Sequence, residues 1–135
     1  MKNLFQPLSF KHGAVMKNRF MLAPMTNLQS FEDGRLSDEE FRWLTMRAQG
    51  GFGLTMTCAS HVQAVGKGFP GQLGCFSDDH LTGLSRLASA IRAEESASTL
   101  AITIHRKRTT KCPHLSKPAS IRSRVFTASS ANRAR

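Results

Sequence analysis

The apolar positions of this chain fall into short runs and one-sided stripes that alternate along its first hundred residues. In Met16-Lys-Asn-Arg-Phe-Met-Leu-Ala-Pro-Met-Thr an unbroken apolar run occupies 20–23. Pro24 closes the run, because proline has no amide hydrogen for a central sheet ladder. The pattern predicts a buried strand with a loop at its carboxyl end. Ahead of it, Phe10-Lys-His-Gly-Ala-Val predicts a small hairpin turning at Gly13. In the stretch from Leu36 to Gly51, Ser37 and Glu40 stand at capping-box spacing, and Asp38 and Glu39 suit the positive end of a helix dipole. Phe41, Leu44 and Ala48 share one face of that predicted helix, and Gly50 or Gly51 supplies its stop. A second buried strand is predicted at 53–57. After a glycine-rich loop at 66–74, Ser77 predicts a second N-cap, followed by the stripe Leu81, Leu84, Leu87, Ala88 and Ile91, with Gly83 as its weak point. Residues 100–104 predict a third buried strand.

Strand, helix, strand, helix, strand is the resulting order, and the strands are apolar throughout rather than alternating. That combination predicts a parallel sheet covered by helices, an α/β fold. Two architectures share the pattern, the doubly wound sheet and the eight-fold barrel. The chain holds about two and a half βα units, whereas a closed barrel needs eight.

Length and bulk composition change little: 135 residues suffice for one modest domain, and 40 % hydrophobic with 21 % charged residues excludes neither an enzyme nor a binding module. Charge changes more. The formal net charge is +10, yet residues 1–101 hold ten Lys/Arg against nine Asp/Glu, while 102–135 hold nine Lys/Arg and no acid. All ten glycines lie between Gly13 and Gly83. The sequence therefore divides into an α/β part over 1–101 and a basic tail over 102–135, expected to be disordered or non-native. No stretch reaches the roughly 18–20 apolar residues of a membrane span, and the N-terminus lacks the apolar core of a secretory signal, so a cytoplasmic setting is expected. Cys58, Cys75 and Cys112 are odd in number and widely spaced, which fits reduced thiols rather than a disulfide framework or a zinc site. No metal is expected.

Few residues point to chemistry by themselves. The 66–74 loop is rich in glycine but lacks the Gly-Lys-Ser/Thr ending of a nucleotide P-loop, and Pro70 interrupts it. It reads as a flexible loop at the carboxyl edge of the sheet, where α/β proteins place their sites. Cys58 follows a buried strand and reads as core packing ahead of a reactive thiol. His61 and His80 have no partner at metal-ligand spacing, and His80, in the first turn of a helix, reads as solvated or capping. Phe20, Phe41 and Trp43 read as core.

The motifs Lys17-Asn-Arg, Leu-Ala-Pro-Met-Thr-Asn (22–27), Asp33-Gly-Arg-Leu-Ser-Asp-Glu, Arg47-Ala-Gln-Gly-Gly-Phe-Gly-Leu, Gly68-Phe-Pro-Gly-Gln-Leu-Gly and Phe76-Ser-Asp-Asp occur in that order. Together, over about residues 4–93, the chain resembles the N-terminal part of the Old Yellow Enzyme family of NADH:flavin oxidoreductases. The resemblance implies the N-terminal portion of a (β/α)8 TIM barrel that binds FMN at its carboxyl mouth. It further implies hydride passing from NAD(P)H to the flavin and on to a small-molecule acceptor, typically an activated alkene. By position Pro24, Met25 and Thr26 match the loop that cups the flavin, and Ala59 a residue whose backbone meets its edge. Thr26 would donate a hydrogen bond to a flavin carbonyl oxygen.

Beyond the second helix the resemblance stops. The family carries a flavin-contacting glutamine in a Gln-Leu motif on its third strand, where this chain reads Ala101-Ile-Thr-Ile-His-Arg-Lys. Its substrate-binding histidine or asparagine pair, tyrosine proton donor and phosphate-holding basic residues match nothing here, so the catalytic residues are unassigned. The codons of residues 101–106, read one base later, can spell Gln-Leu-Gln-Phe-Thr-Gly. A reading-frame shift near Leu100 would thus produce a tail of this kind, and a truncated fragment of the oxidoreductase, inactive alone, is expected. The alternatives are a basic-tailed nucleic-acid-binding module and a non-functional gene remnant that does not fold stably. Nine basic residues suffice for weak phosphate binding, but the tail has Phe126 as its only aromatic and no recognition motif.

Overall fold

The computed structural model describes residues 3–11 and 14–102. β1 (Leu8–Ser9) pairs antiparallel with β2 (Val15–Met16), which is the expected hairpin. Its turn at Gly13 lies outside the described residues. β3 (Met21–Leu22), β4 (Leu54–Ser60) and β5 (Ala97–Ile102) form a second sheet in the order β3-β4-β5, parallel throughout. Each crossover carries a helix, α1 (Asp38–Gln49) and α2 (Leu81–Ala93). This is the βαβαβ order that the pattern predicts.

Central β4 is longer than expected, and Thr55 to Cys58 are buried. By contrast β3 pairs on one side only among the described residues, is two residues long and leaves Met21 51 % exposed. The expectation of a buried strand at 20–23 is corrected, because an edge strand of a parallel sheet has a neighbour to cover only one flank. β5 begins at Ala97, three residues ahead of the expected start, and residues 103–104 of the expected strand lie outside the described residues.

α1 starts as its sequence dictates. The Oγ of Ser37 accepts from the amide of Glu40 at 3.1 Å, three acids fill the first turn, and Gly51 beyond the C-cap has φ +101°. The reciprocal half of the capping box is absent, since the Glu40 side chain turns inward instead. α2 departs further. A short 3-10 turn over Asp78–His80 precedes it, and Ser77 makes no side-chain bond to a helix amide, its Oγ meeting His80 Nδ1 at 2.9 Å. Ser77 is therefore not the N-cap expected, and Leu81 is 61 % exposed because the 3-10 turn rotates it away from the core face. The core sits between the helices: Leu44, Ala48, Leu87 and Ile91, with Leu22, Leu36, Phe41 and Trp43 packed around them.

Candidate flavin-facing edge

In a parallel sheet every strand ends at the same edge, so loops that follow β3 and β4 meet there. Leu22 pairs with Thr55. Pro24, Met25 and Thr26 follow β3 at that edge, and Ala59 lies close to the carboxyl end of β4. Pro24, Met25 and Thr26 are exposed, Met25 to 57 %. Among the described residues the Thr26 hydroxyl has no hydrogen-bond partner. Ala59 is half-buried beside a bulge: Met56 pairs with Thr99 but Ala59 with Ala101, so Thr57 and Cys58 together oppose Leu100. The amide of Ala101 donates instead to Thr57 Oγ1, at 3.0 Å. Such an irregularity re-aims the residues beyond it.

The segment leading away from Thr26 is tightly held. Leu28 stands at φ +56° and is 59 % exposed, an unusual conformation for a branched side chain. The amide of Ser30 donates to the carbonyl of Gly71 at 3.1 Å, and the Ser30 hydroxyl donates to the Glu40 carboxylate. Gln29 Nε2 reaches Glu39 Oε1 at 3.2 Å. The following turn carries Gly34 at φ +86°, and the backbone amide of Arg35 holds the exposed Asp33 carboxyl below the usual carboxylate range.

The 66–74 loop is tied to its neighbours at its carboxyl end. His61 and Gly74 form a parallel bridge, with His61 N donating to Leu73 O at 2.9 Å and Cys75 N to His61 O at 3.0 Å. Gly74 N donates to Gly34 O at 2.8 Å, and Gln72 Oε1 receives the amide of Gly68 at 2.7 Å. Backbone bonds thus flank 73–75 on both sides, satisfying its main-chain polar groups.

His80 is buried, which corrects the solvated reading. The Phe76 ring packs against both imidazoles, its centroid 5.0 Å from His61 and 4.5 Å from His80. His80 Nε2 faces the Asp33 carbonyl at 3.3 Å, and His61 Nδ1 the Gln63 carbonyl at 2.9 Å. The His80 ring thus bridges the Ser77 turn and the Asp33 turn, whereas His61 bonds locally and its buried Nε2 has no partner among the described residues. Cys58 is buried as expected of a core thiol, and desolvation, reinforced by the facing Glu40 carboxylate, pushes its thiol far above the ordinary range. Burial also raises the Cys75 thiol. Cys112 lies outside the described residues. Among the described residues no three His, Cys, Asp or Glu side chains converge to hold a metal ion, and no helix is long and apolar enough to cross a membrane.

Sequence reasoning missed Ser30, Glu40 and Gly71. Glu40 carries a signal, since a glutamate three residues after Ser37 reads as a cap, but only the tertiary structure shows that its side chain leaves the box. Ser30 and Gly71 carry none.

The family model for NADH:flavin oxidoreductase / NADH oxidase matches residues 3–122. The chain is 38 % identical over 101 residues to a Bacillus subtilis protein named "Probable NADH-dependent flavin oxidoreductase YqiG", covering 75 % of this chain and 27 % of that relative. It is 35 % identical over 102 residues to the NADH:acrylate oxidoreductase of Vibrio harveyi, covering 76 % of this chain and 10 % of that one. Its fold superposes on a 2-naphthoyl-CoA reductase in complex with 2-naphthoyl-CoA with a TM-score of 0.71 and 34 % identity, over 76 % of this chain and 16 % of the other. An old yellow enzyme homologue from Zymomonas mobilis matches in fold with a TM-score of 0.67, at 23 % identity, over 73 % of this chain and 27 % of that structure. The described strands and helices are thus a portion of an α/β barrel. Through its N-terminal part, the chain belongs to the NADH:flavin oxidoreductase / NADH oxidase family, of Old Yellow Enzyme type.

Proposed function

We propose that this chain supplies the flavin-facing N-terminal part of an FMN-dependent NAD(P)H oxidoreductase, with Pro24, Met25 and Thr26 cupping FMN and Ala59 meeting its edge through its backbone. The observation that carries the reading is their meeting at one carboxyl edge, three exposed residues after β3 and a half-buried one beside the β4 bulge. An unpartnered Thr26 hydroxyl fits a donor awaiting an acceptor from outside the chain. When bound, FMN supplies hydride transfer between NAD(P)H and a small acceptor such as an activated alkene. Thr26 then donates to a flavin carbonyl oxygen, and such a donor stabilises the negative charge of the reduced ring. Two free thiols among the described residues, Cys58 and Cys75, suit a reducing, cytoplasmic setting.

FMN titration of the full chain, followed by flavin fluorescence, tests the reading. Quenching is expected, with a more negative flavin midpoint potential in Thr26→Ala. No quenching by the unaltered chain, or an unshifted potential in the variant, refutes it.

The division of charge supports a second element of the proposal, that 1–101 is the barrel portion and 102–135 a tail written in a shifted reading frame. The family match to residue 122 weighs against a boundary as early as 101. Sequencing the gene across and beyond the codons of 101–135 decides: family-like residues in an alternative frame establish the shift. Uninterrupted coding for basic residues favours nucleic-acid binding by the tail instead, which a gel shift surviving moderate salt and lost on deleting 105–135 would support.

A further inference from the structure

We propose that Glu40 is a positioning residue for the flavin-facing segment, tying it through Ser30 to both α1 and the 66–74 loop; the inference rests on the flavin reading above. Glu40 is fully buried in the first turn of α1, where its usual task would be to bond back to the N-cap. Its carboxylate instead accepts the hydroxyl hydrogen of Ser30, itself buried, and faces Cys58 on the underside of β4. The Ser30 amide donates to Gly71, whose backbone lies so close to Leu28 that a Cβ there would stand 2.4 Å from the Leu28 carbonyl oxygen.

A buried carboxylate is a costly way to fill a core position, and an apolar side chain of similar volume would pack there without desolvation. What an apolar residue cannot do is hold Ser30. The segment that Ser30 terminates begins at the proposed flavin loop and contains Leu28 at positive φ, a conformation that persists only where the surroundings impose it. Glu40 from below and Gly71 from the side supply that constraint. The other oxygen of the carboxylate, Oε1, has no hydrogen-bond partner, which leaves Ser30 as the one hydrogen bond that the carboxylate accepts among the described residues.

Amide hydrogen exchange on the full chain tests the tie. Glu40→Ala and Ser30→Ala should each speed exchange at the amides of Ser30 and Phe31 by about tenfold or more, the loss of one tertiary hydrogen bond. The Ala101 amide on β5 should be unaffected. Glu40→Gln keeps an acceptor oxygen for Ser30 and should restore slow exchange, and the double Ala variant should exchange no faster than either single one. Faster exchange at Ala101 as well, no rescue by Gln, or additive single effects would overturn the proposal and leave Glu40 a residue of general stability. On the FMN-loaded chain, Glu40→Ala should weaken FMN binding and Glu40→Gln should not. Equal binding by all three forms overturns the link to the flavin. Should the unaltered chain take up no FMN, the flavin reading falls and takes that link with it, while the exchange pattern still decides the tie.

Discussion

Replacing Gly71 by alanine tests whether the glycine-rich loop is a fixed part of the site. Gly71 has φ +65°, and an added Cβ would lie 2.4 Å from the carbonyl oxygen and 2.6 Å from the carbonyl carbon of Leu28. Left-handed backbone costs alanine about 1–2 kcal/mol. The clash is with main chain, so no side chain can swing aside, and absorbing it by bending a backbone angle through about 15° would cost roughly 4 kcal/mol. A cheaper escape is for the loop to lift off Leu28 and surrender the Ser30–Gly71 hydrogen bond, at about 1 kcal/mol. The cheaper route sets the total at about 2–3 kcal/mol. Urea unfolding of the full chain, followed by the fluorescence of Trp43, the single tryptophan, reads this loss if the loop unfolds with the core. If the loop opens alone, the same energy appears as roughly 30-fold or faster exchange at the Ser30 amide with an unmoved midpoint. Both quantities unchanged would show that the loop does not rest on Leu28, and the account of the site edge would fail with it.

Native Cys58 should resist iodoacetamide at pH 8 under conditions that label it fully in urea, since burial and the Glu40 carboxylate both oppose the thiolate; peptide mapping of the label checks this. A thiol raised in the folded state stabilises the fold below its unfolded pKa of about 8.5 and loses that contribution as pH rises further. Stability should therefore fall by up to about 1.4 kcal/mol per pH unit above that point, and Cys58→Ala should abolish this component of the slope. Leu44→Ala, at a fully buried contact between α1 and α2, should cost about 2–5 kcal/mol in urea unfolding. Ser37→Ala should cost about 0.5–2 kcal/mol by the same measurement, because only one of the two capping-box bonds exists to be lost.

Elements governed by local chemistry were legible in the sequence, and elements governed by neighbours were not. The start of α1 is read correctly because Ser37 satisfies an amide three residues away, a bond that needs nothing else in the fold. The same logic fails at Ser77, where a buried histidine competes for the hydroxyl and a 3-10 turn opens the helix. The apolar run at 20–23 reads as a buried strand, yet burial depends on what lies across the sheet edge, and no local pattern encodes that. His80 misleads for the opposite reason: a polar residue in a first turn suggests solvent, but the Phe76 ring and the Asp33 carbonyl enclose it. The candidate site itself was legible only as an edge, through Pro24 and the carboxyl end of β4. A flavin there is proposed from the motif resemblance alone, and the ties through Ser30, Glu40 and Gly71 became visible only with the chain folded.

Those ties follow from where the proposed site sits. Its residues leave β3, which contributes two residues to the sheet and is paired on one side among the described residues, whereas the packed core joins α1 to α2 over the central β4. A two-residue edge ladder supplies few hydrogen bonds, so the strand alone cannot fix the loop that follows it. Precision at that loop has to come from outside the sheet. The Glu40 carboxylate and the Gly71 backbone provide it at two points of the same segment, Ser30 and Leu28. The cost appears as a buried carboxylate and a leucine at positive φ, two locally unfavourable features within one short stretch. Under the flavin reading proposed above, these two features are what hold the stretch that begins at Met25 and Thr26.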